Sequence, residues 1–411
     1  MLSTPRLWSS FEVEIQGSGA SGLLHDTRHM HRMKIWLERS SCSPLSIRLV
    51  HNPVGRVSDD RSAQFLVALI PETRRWRNAH LILPAASIAQ LQPLPLYSFP
   101  ALRSLTLKVT GLRSSPSDPL LNIPAMNIPW RQLTGLDLQL EPSNLLTLDG
   151  SLDILSKTVN LKRGTLHLEC TWDGRNIQRD KLSLPALENL QLVLQSGTTA
   201  STVAGSSDWP EACLVQFLNL LCLPKLRVLH LGWLVNSNTG SWSSTHTDFL
   251  AFLRSSAGTL HELTMTYLPI AEDELSECLS QVPNLTYLDL RFALNEGAND
   301  PITNQLLVKC TTPPSAVPAG IARKRQAHAE AALLPRLEHV NLQCHGALYA
   351  NPTLLALIQS RWKGSDSQAA RRQFRSFKLL SMKPVSSTVE KHVKAWHEEG
   401  LEVDIQCLVI R

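Results

Sequence analysis

The chain has 411 residues, 43% of them apolar, and a formal charge of +5 from 40 Lys and Arg against 35 Asp and Glu. That length suits two or three globular domains or one solenoid, and the apolar fraction is enough for a core. The charge is mild and no basic stripe is interleaved with aromatics, so neither nucleic acid nor an acidic membrane surface is expected as a partner.

The N-terminus has no apolar signal region, and no apolar run reaches about 18 residues, so neither a signal peptide nor a membrane span is expected. The eight cysteines are scattered without a Cys-x-x-Cys or clusters at the ends. This predicts reduced thiols in a cytoplasmic or nuclear protein.

In chain order, Phe11 to Ile15 reads as a strand, followed by the loop GSGASG and a helix from about Leu24 to Ser40. A period-two strand (Pro44 to Leu49), a helix (about Asp59 to Pro71) and a strand (Arg75 to Leu83) come next. Residues 1–98 therefore form an α/β portion continuous with the remainder of the chain. From Phe99 a repeat takes over, of the form Pro-x-Leu-x-x-Leu-x-Leu: PALRSLTL (Pro100 to Leu107), PALENLQL (Pro185 to Leu192), PKLRVLHL (Pro224 to Leu231), PNLTYLDL (Pro283 to Leu290) and PRLEHVNL (Pro335 to Leu342). RQLTGLDL, GTLHELTM and QFRSFKLL are looser copies, and LKRGTLHL (Leu161 to Leu168) has two extra residues before its final Leu-x-Leu.

Leu-x-Leu sends both leucines to one face of a strand, and Pro suits the place where the chain enters it. One such strand cannot bury its leucines alone, but a stack with helices returning behind it can. The predicted fold is α/β: an irregular leucine-rich-repeat solenoid, a curved sheet of short strands backed by helices, over 99–411. Its spacings run from 24 residues (Leu166 to Leu190) to 52 (Leu288 to Val340), against about 20–29 in ordinary leucine-rich repeats. The widest holds TTPPSAVPAG and Arg323-Lys324-Arg325, which predict a mobile insertion near 311–332; the basic run reads as a solvated helix face or a nuclear address. Helices are expected at Leu145 to Val159, Glu211 to Leu221, Asp248 to Ser255 and Asp273 to Gln281, with Asp248 and Asp273 as N-caps. A helix (about Ser387 to Glu399) and a strand (Leu401 to Ile405) close the chain.

Gly17-Ser18-Gly19-Ala20-Ser21-Gly22 is a literal G-x-G-x-x-G between a strand and a helix. The strand alternates Glu12 and Glu14, the next strand ends Leu49-Val50-His51 with no acid placed for a ribose, and no further dinucleotide-binding unit occurs. A plain loop is the better reading. His25 and His29 are one helical turn apart but have no third ligand, so no metal is expected. No nucleophile, phosphate-loop or zinc-protease motif occurs. The sequence therefore offers no catalytic residue and no cofactor site.

The informative residues lie between and just after the leucines, where side chains face away from the core and would line the concave sheet: Thr106 and Lys108, Asp137 and Gln139, His167 and Glu169, Gln191, His230, Thr264 and Thr266, Asp289 and Arg291, Asn341 and Gln343. They read as a solvated surface or as a mixed-charge surface for a protein partner. Trp172 and Trp233, just past their strands, are partner anchors or core residues.

Several stretches resemble a family. TPRLWSSFEVEI (Thr4 to Ile15), WLERSSCSPLSIRL (Trp36 to Leu49), LIPETRRWRNAHLILP (Leu69 to Pro84), NLKRGTLHL (Asn160 to Leu168) and WHEEGLEVDI (Trp396 to Ile405) are similar to the basidiomycete-type F-box/leucine-rich-repeat proteins, in the part C-terminal to the F-box. No Leu-Pro-x-Glu-Ile-like F-box motif occurs in the sequence itself. The resemblance implies a non-catalytic substrate-recognition part of an adaptor for a cullin-type ubiquitin ligase. Its partner would be a ubiquitination substrate, and the cullin adaptor protein would bind only through an upstream F-box. A binding scaffold outside the ubiquitin system, or a truncated, inactive relative, is the alternative.

Overall fold

The computed structural model describes residues 4–15, 20–51, 61–110, 121–140, 145–171, 179–196, 210–235, 242–295, 299–311, 332–363 and 374–408. Trp172, the basic run at 323–325, Gly17 to Gly19 and the insertion expected near 311–332 lie outside them, the last but for its outermost residues. The fold is α/β, with a large, mostly parallel sheet of 13 strands backed by helices and not closed into a barrel. The chain divides into two compact units, residues 1–208 with 220–222 and 235–237, and the remainder.

In the first unit the order is β1 (Ser10–Ile15), α1 (Ala20–Arg39), β2 (Leu45–His51), α2 (Arg61–Leu69), β3 (Trp76–Leu83), α3 (Ala85–Ile88), β4 (Ser104–Val109), β5 (Gly135–Gln139), α4 (Leu148–Lys157), β6 (Arg163–Glu169), β7 (Leu182–Ser183) and β8 (Asn189–Gln195). β7 pairs with β9 (Leu221–Cys222) in a small separate ladder. The others pair in parallel with their sequence neighbours, β6 with β8. Since β3 pairs with β4, no seam falls at residue 98.

The second unit holds α5 (Pro210–Asn219), β10 (Val228–Leu234), α6 (His246–Ser256), β11 (Glu262–Thr266), α7 (Glu272–Ser280), β12 (Tyr287–Arg291), α8 (Asn304–Lys309), β13 (His339–Cys344), α9 (Asn351–Lys363), β14 (Ser376–Ser381), α10 (Ser387–Glu398) and β15 (Glu402–Cys407). Strands β10 to β15 pair in parallel, each with the next.

The leucines do what their spacing requires. In the first unit Leu105 and Leu107 align with Leu136 and Leu138; in the second Leu229 and Leu231 align with Leu263 and Met265, then Leu288 and Leu290. All of these are buried. Each such side chain taken out of water contributes about 1.5–3 kcal/mol before the entropy of ordering it is set against the gain. The helices meet this face with Phe65, Leu66 and Leu69 of α2, Leu152, Ile154 and Leu155 of α4, and Phe249, Phe252 and Leu253 of α6.

Three expectations need correction. First, Pro does not enter the strand. It is the second residue of a tight turn closed by the first leucine, whose N–H bonds back to the residue before Pro: Leu187 to Leu184 O, Leu226 to Leu223 O, Leu285 to Val282 O and Leu337 to Leu334 O, all 3.2 Å. A fixed φ favours Pro there, and the turn's first residue is itself buried, which lengthens the repeat by one apolar position. Next to most strand starts, one carbonyl takes two successive N–H groups. Arg103 O accepts from Thr134 N (2.8 Å) and Gly135 N (3.2 Å), and His261 O from Thr286 N (2.8 Å) and Tyr287 N (3.1 Å). This bond repeats down each unit and fixes the register.

Second, the two extra residues of LKRGTLHL shift its register. Gly164, not Leu166, aligns with Leu136 and Leu190, and Leu166 aligns with Leu138 and Leu192. Glycine stands in a leucine site because the space is filled: a Cβ on Gly164 would lie 3.2 Å from Leu161 Cδ2 and 3.9 Å from the Cδ1 atoms of Leu187 and Leu190.

Third, Asp248 and Asp273 sit in first turns and are not N-caps. Thr245 precedes α6, and Ala271 precedes α7, where the Glu274 carboxylate accepts the Ala271 N–H at 2.9 Å. Both acids still complement the positive helix start.

Candidate functional site: the polar face of the sheet

The positions between the leucines form rows, because parallel pairing places equivalent residues about 4.8 Å apart on neighbouring strands. In the first unit one row reads Glu12, Arg48, His80, Thr106, Asp137, Thr165 and Gln191. In the second it reads His230, Thr264, Asp289, Asn341, Lys378 and Asp404. His167, expected in the first row, lies two residues further along its strand because of the Gly164 shift; Thr165 takes its place.

In the first unit Arg48 Nε donates to Glu12 Oε1 at 2.6 Å, and Arg48 Nη1 donates to His80 Nε2 at 3.1 Å. His80 is the acceptor and therefore neutral; burial first, and then the Arg48 charge, hold its pKa below the usual value. Lys108 is exposed. Burial raises the pKa of Asp137 even though Gln139 Nε2 donates to its Oδ2 at 3.3 Å; its Oδ1 is buried with no hydrogen-bond partner. His167 is driven down to about 4 by burial and then by Lys108, and Gln195 Nε2 donates to its Nδ1 at 3.3 Å. Thr106, Glu169 and Gln191 are half-buried on the same face.

The second unit gathers a tighter cluster. Asp289 is only 2% exposed, against the expectation of a solvent-facing side chain. Arg291 covers it in a two-point bond, Nε to Oδ1 at 2.9 Å and Nη2 to Oδ2 at 2.7 Å, and this bond raises the arginine's pKa. The Tyr287 hydroxyl points at the same carboxylate, 3.5 Å from Oδ2; burial and then Asp289 raise its pKa. The Tyr287 ring lies 6.2 Å from that of His339, whose Nδ1 meets Ser376 Oγ at 2.8 Å. Gln343 Nε2 donates to the Tyr267 hydroxyl (3.3 Å) and to Phe292 O (3.2 Å). His230 is held below its usual pKa by burial and then by Arg291. Thr264, Thr266 and Asn341 are half-buried beside these groups.

Trp233 is not on this face. It points with the leucines and is 5% exposed, so it is a core residue. Trp172 is outside the described residues.

Sequence reasoning missed Tyr267, Tyr287, His339, Arg48 and His80. The Leu-x-Leu rule looked only between and after the leucines, whereas Tyr287 and His339 precede the first one and Tyr267 comes after the strand. Arg48 and His80 sit on strands without the leucine signature. The alternation of Glu12 and Glu14 was the signal that could have extended the rows.

His339 and Ser376 form a hydroxyl–imidazole pair, but the Ser376 N–H is spent on Glu338 O at 3.1 Å and cannot stabilise an oxyanion. Burial pushes the Cys310 thiol to about 11 and the Cys278 and Cys344 thiols higher still, so none is a ready nucleophile. Among the described residues no group of three or more His, Cys, Asp or Glu could hold a metal, and no helix is long and apolar enough to cross a membrane.

The geometry thus defines an α/β protein with a large parallel sheet whose polar face carries rows of tyrosine, histidine, arginine and amide side chains. No family model matches the chain, and no curated protein matches it.

Proposed function

We propose that the protein is a non-catalytic recognition module, an irregular leucine-rich-repeat solenoid that binds a protein partner on the polar face of its sheet. One observation carries the reading. Tyr267, Tyr287, Arg291, His339 and Gln343 are brought together on one face and pre-ordered by the Asp289–Arg291 bond and the Gln343–Tyr267 bond. Tyr and Arg are the residues that dominate protein interfaces, and side chains already held in place lose less entropy when a partner arrives. The resemblance of Thr4 to Ile15, Trp36 to Leu49 and Trp396 to Ile405 to the F-box/leucine-rich-repeat family makes the partner a ubiquitination substrate of a cullin-type ligase.

The test is quantitative affinity purification of the protein and of a variant carrying Tyr287→Ala, Arg291→Ala and Asn341→Ala. A partner held by the first and lost by the second is expected. Identical partners for both would overturn the use of this face. A captured partner whose ubiquitination and abundance stay unchanged when the protein is removed from the cell would move the reading to a scaffold outside the ubiquitin system.

A further inference from the structure

The first unit carries a second charged feature, on the edge where its strands begin. Arg77, Arg103, Arg131, Lys157, Lys162 and Arg163 are all exposed. Backbone bonds stack Arg77, Arg103, Thr134 and Lys162: Arg103 N to Arg77 O (2.7 Å), Thr134 N to Arg103 O (2.8 Å) and Lys162 N to Thr134 O (2.9 Å); Arg131 lies just before β5 and Lys157 ends α4. The strand starts of β3 to β6 thus bring a cation forward at nearly every step of about 4.8 Å. None of the six forms a salt bridge to a carboxylate among the described residues, whereas elsewhere in the unit Arg48, Arg61, Arg75 and Arg179 all do. Arg103, Arg131 and Lys157 line an open groove with Gln132, Ser156 and Asn160. The amides there are occupied: Gln132 Nε2 donates to Phe99 O and Leu102 O, both at 2.9 Å, and Asn160 Nδ2 to Arg131 O at 2.8 Å. Arg103 Nη1 donates to Gln132 O at 3.4 Å, so what the groove offers a ligand is the charge of its cations rather than free amides. Glu188 bounds the row at the start of β8. At the equivalent edge of the second unit, Arg375 is instead paired with Glu338 at 3.1 Å.

Unpaired like charges this close repel one another, and an anionic ligand would remove that cost. The groove's one aromatic, Trp130, is buried and offers no face for a base to stack on, so the chemistry does not favour single-stranded nucleic acid.

We propose that this edge is a docking groove for an extended acidic segment, rich in Asp and Glu, of a protein partner. Because every residue of such a segment can carry a carboxylate, it can pair with the row of cations without a fixed register, held by charge complementarity. The site is separate from the sheet face, so the two readings fail independently.

The experiment is fluorescence anisotropy of a labelled oligo-aspartate peptide with the full chain. One variant carries Arg103→Ser, Arg131→Ser and Lys162→Ser; a control removes the same charge from α1 with Arg28→Ser, Arg32→Ser and Lys34→Ser. The groove variant should lose about tenfold or more in affinity and the control less than about twofold, with binding weakened by salt. The substituted side chains are exposed, so thermal unfolding should be unchanged in both. Equal losses in the two variants, no peptide binding by the parent, or tighter binding of a single-stranded oligonucleotide of matched charge would each overturn the proposal.

Discussion

Replacing Gly164 with leucine distinguishes the register seen here from the one the repeat pattern suggests. If Leu166 were the equivalent of Leu136 and Leu190, residue 164 would precede the strand, and Gly164→Leu would cost less than about 0.5 kcal/mol. In the structure Gly164 occupies the leucine row itself. A Cβ already meets Leu161 Cδ2 at 3.2 Å, and the rest of a leucine would have to displace Leu161, Leu187 and Leu190. Overpacking of this kind costs about 1–3 kcal/mol. Gly164→Ala is the internal reference. It relieves up to about 1 kcal/mol of glycine's backbone entropy and adds one tight contact with a movable methyl, so it should come out within about 0.5 kcal/mol of the parent. The assay is thermal unfolding followed by circular dichroism, in which a unit of this size shifts about 2–4 °C per kcal/mol. A leucine variant melting within about 1 °C of the parent would refute the register argument.

The histidines set a pH dependence. His80, His167 and His230 all have folded-state pKa values below the ordinary 6.5, His167 at about 4. The unfolded chain therefore binds more protons, and the stability they contribute is present above about pH 6.5 and lost as pH falls toward about 4. Asp137 has a raised pKa and works in the opposite sense over the acid end of that range. The His167→Gln variant should flatten the loss of melting temperature between about pH 6.5 and 4; an unchanged slope would show that His167 is not the main titrating group. Arg361 is largely buried and donates to three carbonyls, Leu333 O (2.6 Å), Cys310 O (2.8 Å) and Leu334 O (3.0 Å). Arg361→Met should destabilise the second unit by about 2–4 kcal/mol in urea unfolding. In thiol labelling of the native protein, Cys42 and Cys222 are exposed and should react first; Cys170, Cys213, Cys278, Cys310 and Cys344 are buried and should react only on unfolding.

The strands of the large sheet from β4 to β14 were legible because they write their buried face as alternating apolar residues, mostly leucine, a pattern that survives loose copies such as RQLTGLDL and QFRSFKLL; the short β7 and β9 carry no such pattern and were not. The turn geometry was not. Pro alone does not say whether it begins a strand or sits inside a tight turn, and the buried residue ahead of it (Leu184, Leu223 or Val282) is an ordinary apolar residue in the sequence. Gly164 misled the register because a leucine motif has no symbol for a leucine site already filled by its neighbours. On the polar face, the identity of the outward residues was readable but their environment was not. Asp289 looks solvent-facing until the Arg291 guanidinium and the Tyr287 ring are placed over it, and Trp233 looks like an anchor until the period-two count puts it beside Leu229 and Leu231.

The central claim is that the polar face of the second unit is where a protein partner binds. The most direct test is photo-cross-linking in the cell, with a photoreactive residue substituted at Asn341 on that face and, as the comparison, at the exposed Asp273 on α7. Discrete cross-linked partners from position 341 and none from position 273 are predicted. Cross-links from position 273 alone, or from neither position, would contradict the account.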